Sequence, residues 1–139
     1  MRRSWLFMLP FVMALGGCAG SDSSSTTPTS PTGPLVSESF DGSVSPLGQS
    51  FHAFSVAESS EVSAHLTAAG PPSTIFMLLG LGVVTGSTCT PLSNATVLAQ
   101  ASSSPQLAGD INPGAYCVVI SDAGNQVQTV SYTVVVNHY

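Results

Sequence analysis

The sequence predicts an all-β protein, and three observations carry that expectation. Short windows alternate apolar and polar side chains with a period of two, as strands with one buried face do. Between these windows lie Gly, Pro, Asn and Asp clusters that read as turns. No segment sustains a helical period with caps at its ends. Residues 35–139 have the length of one sandwich domain of about 100 residues.

The elements follow in chain order. Near 49–57, His52, Phe54 and Val56 share one face, and Phe51, Ala53 and Ser55 the other. In the next run Val62, Ala64 and Leu66 alternate against Ser63, His65 and Thr67, with Glu58-Ser59-Ser60 between the two as a natural hairpin turn. Ile75 to Val84, IFMLLGLGVV, is continuously apolar but too short to span a bilayer. It reads as a strand buried on both sides, with Gly80 and Gly82 marking a bend or bulge. Further strands are expected at Ala95 to Ala101, around Gln106 and Leu107, at Ala115 to Ser121 and at Thr129 to Asn137. Asn112-Pro113-Gly114 and Asp122-Ala123-Gly124-Asn125 supply turns. Together they make one antiparallel sandwich of about seven to eight strands, jelly-roll-like or immunoglobulin-like.

Composition narrows the partners. Apolar residues make up 43% of the chain, more than a disordered polar sequence carries. Lysine and arginine total 2, at Arg2 and Arg3, against 7 carboxylates at Asp22, Glu38, Asp41, Glu58, Glu61, Asp110 and Asp122. Without cations beyond Arg3 there is nothing to neutralise phosphates, so nucleic acid is not an expected partner. Stability must come from apolar burial, backbone hydrogen bonds and a disulfide, since Lys or Arg ion pairs cannot form there.

The first residues have a different character. Arg2 and Arg3 form a positive segment, Trp5 to Leu15 a short apolar one, and Leu15-Gly16-Gly17-Cys18 resembles the lipobox of bacterial lipoproteins. That resemblance implies a signal peptide over 1–17, cleavage between Gly17 and Cys18, and lipid on the Cys18 thiol. Acyl chains such as palmitate would then hold the chain on a membrane. Ala19 after the cysteine implies the outer membrane in a Gram-negative cell, on its periplasmic or exposed side, and otherwise the outer face of the cell membrane. Residues 18–34 are rich in Ser, Thr and Pro and contain no large apolar side chain, so they read as a disordered tether.

Within the domain, Gln106 to Ile120 (QLAGDINPGAYCVVI) and Ser131 to Val136 (SYTVVV) look like the end of the bacterial pre-peptidase C-terminal domain. Phe51 to Val56 and Val62 to Leu66 resemble its opening pair of strands. The resemblance spans residues 36 to 137 and implies a β-sandwich accessory domain. The chain departs from the family's usual setting in that a lipid anchor stands where a peptidase would precede the domain.

The chemistry-bearing residues are few. With Cys18 committed to lipid, Cys89 and Cys117 form an even pair for a disulfide in an oxidising compartment, pinning a loop at Cys89 to a strand at Cys117. His52 and His65 would come near each other across the hairpin, a weak metal or pH-sensing pair set against two separately packed strand histidines; His138 lies near the end of the last strand. Asp41, Asp110 and Asp122 fall in turn-like segments, where aspartate satisfies backbone donors. Tyr116, Tyr132 and the phenylalanines are expected in the core. Asn94-Ala95-Thr96 fits a glycosylation sequon that a bacterial lipoprotein does not need. No Gly-x-Ser-x-Gly elbow occurs, and no cofactor, catalytic residue or metal-ligand set is expected.

The expected role is a non-catalytic envelope lipoprotein that binds an envelope protein or a polysaccharide. The rivals are a small hydrolase or metal-dependent enzyme on the same sandwich, and a purely structural envelope protein.

Overall fold

The computed structural model describes residues 30–139, and their regular structure is entirely β. The strands are β1 (Val36–Val44), β2 (Gln49–Val56), β3 (Ser60–Gly70), β4 (Phe76–Thr85), β5 (Thr88–Gln100), β6 (Leu107–Ile111), β7 (Gly114–Asp122) and β8 (Val130–His138). They form two antiparallel four-stranded sheets: sheet I in the order β1-β8-β3-β6 and sheet II in the order β2-β7-β4-β5. That order is a jelly roll, so the sandwich is of this type and not immunoglobulin-like.

Only β4 and β5 form a hairpin within one sheet, through Gly86 in the left-handed region at φ 63° and Ser87. All other connections cross between sheets. This corrects the hairpin expected between the strands of His52 and His65, because β2 pairs with β7 and β3 with β8 and β6. Alternation fixes which side of a strand is buried, but it does not say which neighbour the strand takes. Here the N–H groups of Ala57 and Glu58 donate to the carbonyl of Tyr139 at 2.9 and 3.4 Å, leading the chain over to the other sheet.

The core forms where the inward faces meet: Val62, Ala64 and Leu66 of β3 and Val130, Tyr132, Val134 and Val136 of β8 against Met77, Leu79 and Leu81 of β4 and Val118 and Ile120 of β7. Leu66, Leu79, Ile120, Val134 and Val136 are wholly buried, and each such side chain contributes about 1.5–3 kcal/mol. Tyr116 stacks on Phe54 at 6.1 Å, and its hydroxyl donates to the carbonyl of Asn112 at 2.9 Å, tying β7 to the turn before it.

Two further expectations need correction, and one strand, β1, was not anticipated. β1 carries little apolar signal, because its inward positions include Glu38 and Gly42 beside Phe40 and Val44. The strand expected at 95–101 begins earlier, at Thr88, so Cys89 lies in a strand and not in a loop; an edge strand tolerates Pro91. The run 75–84 is not buried on both sides, since Phe76 is 43% exposed and Leu78 is half-buried. Its glycines do mark a bulge, with a register shift between Gly80 and Gly82 that leaves Leu92 to Ala95 outside the regular pairing.

Candidate functional site

Strand direction sorts the loops into two poles. The proximal pole gathers the entry at Ser30 to Leu35, the 57–59 and 112–113 connections and the C-terminal Tyr139. The distal pole gathers the 45–48, 71–75, 101–106 and 123–129 connections. Strands of 8 or 9 residues at about 3.3 Å each hold the poles roughly 25–30 Å apart.

At the proximal pole the Glu58 carboxylate accepts from the backbone N–H of Thr32 at 2.7 Å and from its hydroxyl at 3.3 Å. Hydrogen bonds from the Thr32 and Gly33 amides hold the Glu58 carboxyl below its ordinary range. The last residues expected in the free tether are thus fastened to the domain. A shallow groove of about 720 Å³ lies beside them, lined by Ser30, Ser59, Glu61, Asp110 and Asn112. Glu61 and Asp110 stand directly opposite each other across β3 and β6, a like-charge pairing that weakens the sheet edge.

At the distal pole one carboxylate organises two loops. Asp122 Oδ1 accepts from the N–H groups of Gly124, Asn125 and Gln126 at 2.8, 3.2 and 3.2 Å, and Oδ2 accepts from the Leu47 N–H at 2.8 Å. The Leu47 bond is the main cause holding the Asp122 carboxyl below its ordinary value. Asp122 therefore acts as the turn aspartate expected from the sequence, whereas Asp41 and Asp110 lie within β1 and β6. The Ser45-Pro46-Leu47-Gly48 turn closes with Gly48 N–H donating to Ser45 O at 2.8 Å and puts Leu47 at φ 61°. Glycine or asparagine is the usual residue there. Leu47 is nonetheless 91% exposed, and Val127 on the adjoining loop is 92% exposed. Neither side chain contributes to the core, and Leu47 adds backbone strain of about 1–2 kcal/mol.

The two histidines are not brought together. His52 points inward from sheet II, stacks on Phe40 at 4.9 Å, and its Nε2 lies 2.8 Å from the Tyr132 hydroxyl of sheet I. Gly42 leaves the room for that phenol, because a Cβ there would sit 2.4 Å from its oxygen. Burial lowers the His52 pKa against an opposing pull from Asp41, and burial raises that of Tyr132. Both groups are therefore neutral near pH 7, and the pair bridges the sheets as a hydrogen bond. His65 lies on the outer face of sheet I, between the outward Ser63 and Thr67. His138 is buried at the proximal pole, with Nε2 2.8 Å from Glu38 Oε1. Among the described residues no cluster of His, Cys, Asp and Glu is arranged to hold a metal ion.

Cys89 and Cys117 form a disulfide with a Cα separation of 6.0 Å. It fastens the start of β5 to β7 across Gly82 of the intervening β4. A Cβ at Gly82 would lie 2.4 Å from Thr90 O and 2.9 Å from Cys89 Sγ, so only glycine leaves space for this crossing. Closing a 28-residue separation restricts the unfolded chain by about 3–4 kcal/mol in the chain-entropy model.

Gly17, Cys18 and the segments 1–17 and 18–29 lie outside the described residues. No protein-family model, curated protein or solved structure matches the chain. The exposed, strained Leu47 and the exposed Val127 are features that sequence alternation did not single out. Pro46-Leu47-Gly48 reads as an ordinary turn until its φ angles are known.

Proposed function

We propose that this chain is a lipid-anchored, non-catalytic binding module of the bacterial envelope, held by Cys18 and presenting its distal loops to a protein or extracellular polymer. The observation that carries the binding reading is Leu47. An apolar side chain almost fully in water, on a backbone strained for anything but glycine or asparagine, contributes nothing to this fold. Its partner on the next loop, Val127, is as exposed, and the Asp122 carboxylate fixes the two loops relative to each other. The entry segment is fastened at the other pole by Glu58, which supports a domain that points its apolar tip away from the anchor. The resemblance to the pre-peptidase C-terminal domain supports an accessory role of the same kind.

Two experiments test the reading. Labelling of intact cells with a clickable palmitate analogue is expected to mark the full chain and to fail for Cys18→Ser; equal labelling of that variant would refute the anchor. A photo-reactive residue at Gln128 in the full chain is expected to capture one recurrent partner. Leu47→Asn, which relaxes the turn, is expected to lower that capture at least roughly tenfold. Unchanged capture would show that the tip is not the contact.

A further inference from the structure

Leu47 keeps a conformation that its own turn does not require. The turn Ser45-Pro46-Leu47-Gly48 has proline at its second position and a φ of 61° at its third, which makes it type II. A type I turn accepts the same proline and closes with the same bond from Gly48 N–H to Ser45 O, yet gives the third residue a negative φ. The two turns differ by a flip of the peptide between Pro46 and Leu47, which reverses the direction of the Leu47 N–H. For a leucine taken alone, type I is the less strained.

Packing does not decide between them, since Leu47 is 91% exposed and Ser45 and Pro46 are exposed as well. Nor does the bond from Asp122 N–H to Gly48 O at 3.0 Å, because the Gly48 carbonyl lies outside the flipping peptide. One contact does distinguish them: the Leu47 N–H donates to Asp122 Oδ2 at 2.8 Å.

We infer that Asp122 is the positioning residue of the distal tip: its carboxylate holds the Pro46–Leu47 peptide in the type II orientation, and without that charge the peptide flips and Leu47 leaves the left-handed region. In the flipped turn the Pro46 carbonyl oxygen, and not an N–H, would face Oδ2. The carboxylate thus stabilises one orientation and repels the other. It cannot swing away to follow a relaxing turn, because Oδ1 is held by the amides of Gly124, Asn125 and Gln126. The same bonds keep the group ionised at neutral pH, the one from Leu47 most of all. Backbone strain at Leu47 is therefore balanced by a contact from the neighbouring loop. This role of Asp122 deepens the reading of the tip as a binding surface and rests on that reading for its consequence: a partner taking Leu47 and Val127 together meets them already in place, without having to order the turn.

NMR of the full chain in detergent micelles tests the role. In the wild type, a scalar coupling across the hydrogen bond is expected between the Leu47 amide nitrogen and the Asp122 carboxyl carbon. The strong cross-peak of a type II turn, from the Pro46 Hα to the Leu47 amide hydrogen, is expected with it. Asp122→Asn cuts the one contact, because its carbonyl oxygen still serves the three amides of loop 123–129 while its NH2 group cannot accept from Leu47. Asp122 lies outside the core, so the fold is expected to persist. That variant should lose the cross-peak and exchange the Leu47 N–H with solvent at least roughly tenfold faster, with the amides of Gly124 to Gln126 still protected. In a Leu47→Gly background the same substitution should leave the cross-peak at position 47 in place, since glycine keeps a positive φ unaided. A general loosening of the pole would remove it in both backgrounds. No coupling in the wild type, an unchanged cross-peak in Asp122→Asn, or its loss in both backgrounds would overturn the inference. Capture from Gln128 reads the binding tip separately. A flipped turn with unchanged capture refutes the tip and leaves the role of Asp122 standing, whereas an unflipped turn refutes that role whatever is captured.

Discussion

Sheet I and sheet II bury equivalent apolar stripes against each other but turn unlike faces outward. Sheet I shows Ser37, Ser39, Ser43, Ser131, Thr133 and Ser63 with Asp41, Glu61 and Asp110 among them. Sheet II shows Phe51, Phe76, Leu78 and Leu98 without a charge, braced by the disulfide and by glycines that other side chains lie across. The inward faces answer the common demand of folding, which sets the alternation in both sheets. The outward faces are free of that demand, so their difference reports on what each meets. Water suffices for the hydroxyls and carboxylates; a row of Leu and Phe is better matched by another apolar surface.

The comparison can be broken first at the disulfide. Replacing Cys89 and Cys117 together by serine is expected to lower the stability of the domain by about 3–4 kcal/mol in denaturant unfolding, through the greater freedom of the unfolded chain. A loss under about 1 kcal/mol would mean that β5 is held without it.

Next in size is a pair of glycine substitutions. Gly82→Ala on sheet II pushes a Cβ to 2.4 Å from Thr90 O and is expected to cost about 1–3 kcal/mol. Gly109→Ala on sheet I meets nothing within 4 Å and should change stability by no more than about 1 kcal/mol, in the favourable direction. Equal effects in thermal melts would erase the packing difference between the sheets.

A smaller effect, of opposite sign, belongs to the distal tip. Leu47→Gly relieves the left-handed residue and is expected to stabilise the domain by about 1 kcal/mol. Destabilisation would show that the exposed leucine supports the fold after all.

The smallest effect is the pH dependence of the bridge joining the sheets. Burial holds the folded His52 below its ordinary 6.5, so the unfolded chain takes the proton first as pH falls. Its contribution is fully present above that value, is lost as pH drops towards the lower folded pKa, and is level below it. Comparing unfolding of the wild type and His52→Gln across this range isolates the slope; a slope of the reverse sign would contradict a neutral His52–Tyr132 pair.

Much of this was legible in the sequence. Alternation in 49–57 and 62–67 separated the residues of the two faces as the structure has them, a strand was expected at 129–137, and the Cys89–Cys117 bridge followed from an even count once Cys18 was set aside. Partner choice was not legible, because the signal for a strand's buried side is local while the crossing from β2 to β3 depends on the carbonyl of Tyr139. β1 escaped notice because its inward positions include Glu38, matched by His138 a hundred residues later, and Gly42, which yields to the Tyr132 phenol. The start of β5 reads as Thr, Cys, Thr and Pro, a loop by composition that an edge strand accommodates. The distal tip depends on a single positive φ at Leu47, and the uncharged face depends on knowing that β2, β7, β4 and β5 are neighbours.

The contrast between the outer faces of the two sheets is checked most sharply by side-chain footprinting. The full chain would be exposed to hydroxyl radicals in cell membranes, where the proposed anchor would hold it, and again after dispersal in excess detergent and dilution. Phe76 and Leu98 are expected to be oxidised slowly in the membrane and markedly faster after dispersal, while His65 and Val135 on sheet I change little. Equal and rapid oxidation of Leu98 under both conditions would mean that the face of sheet II is simply bare, and would contradict the account.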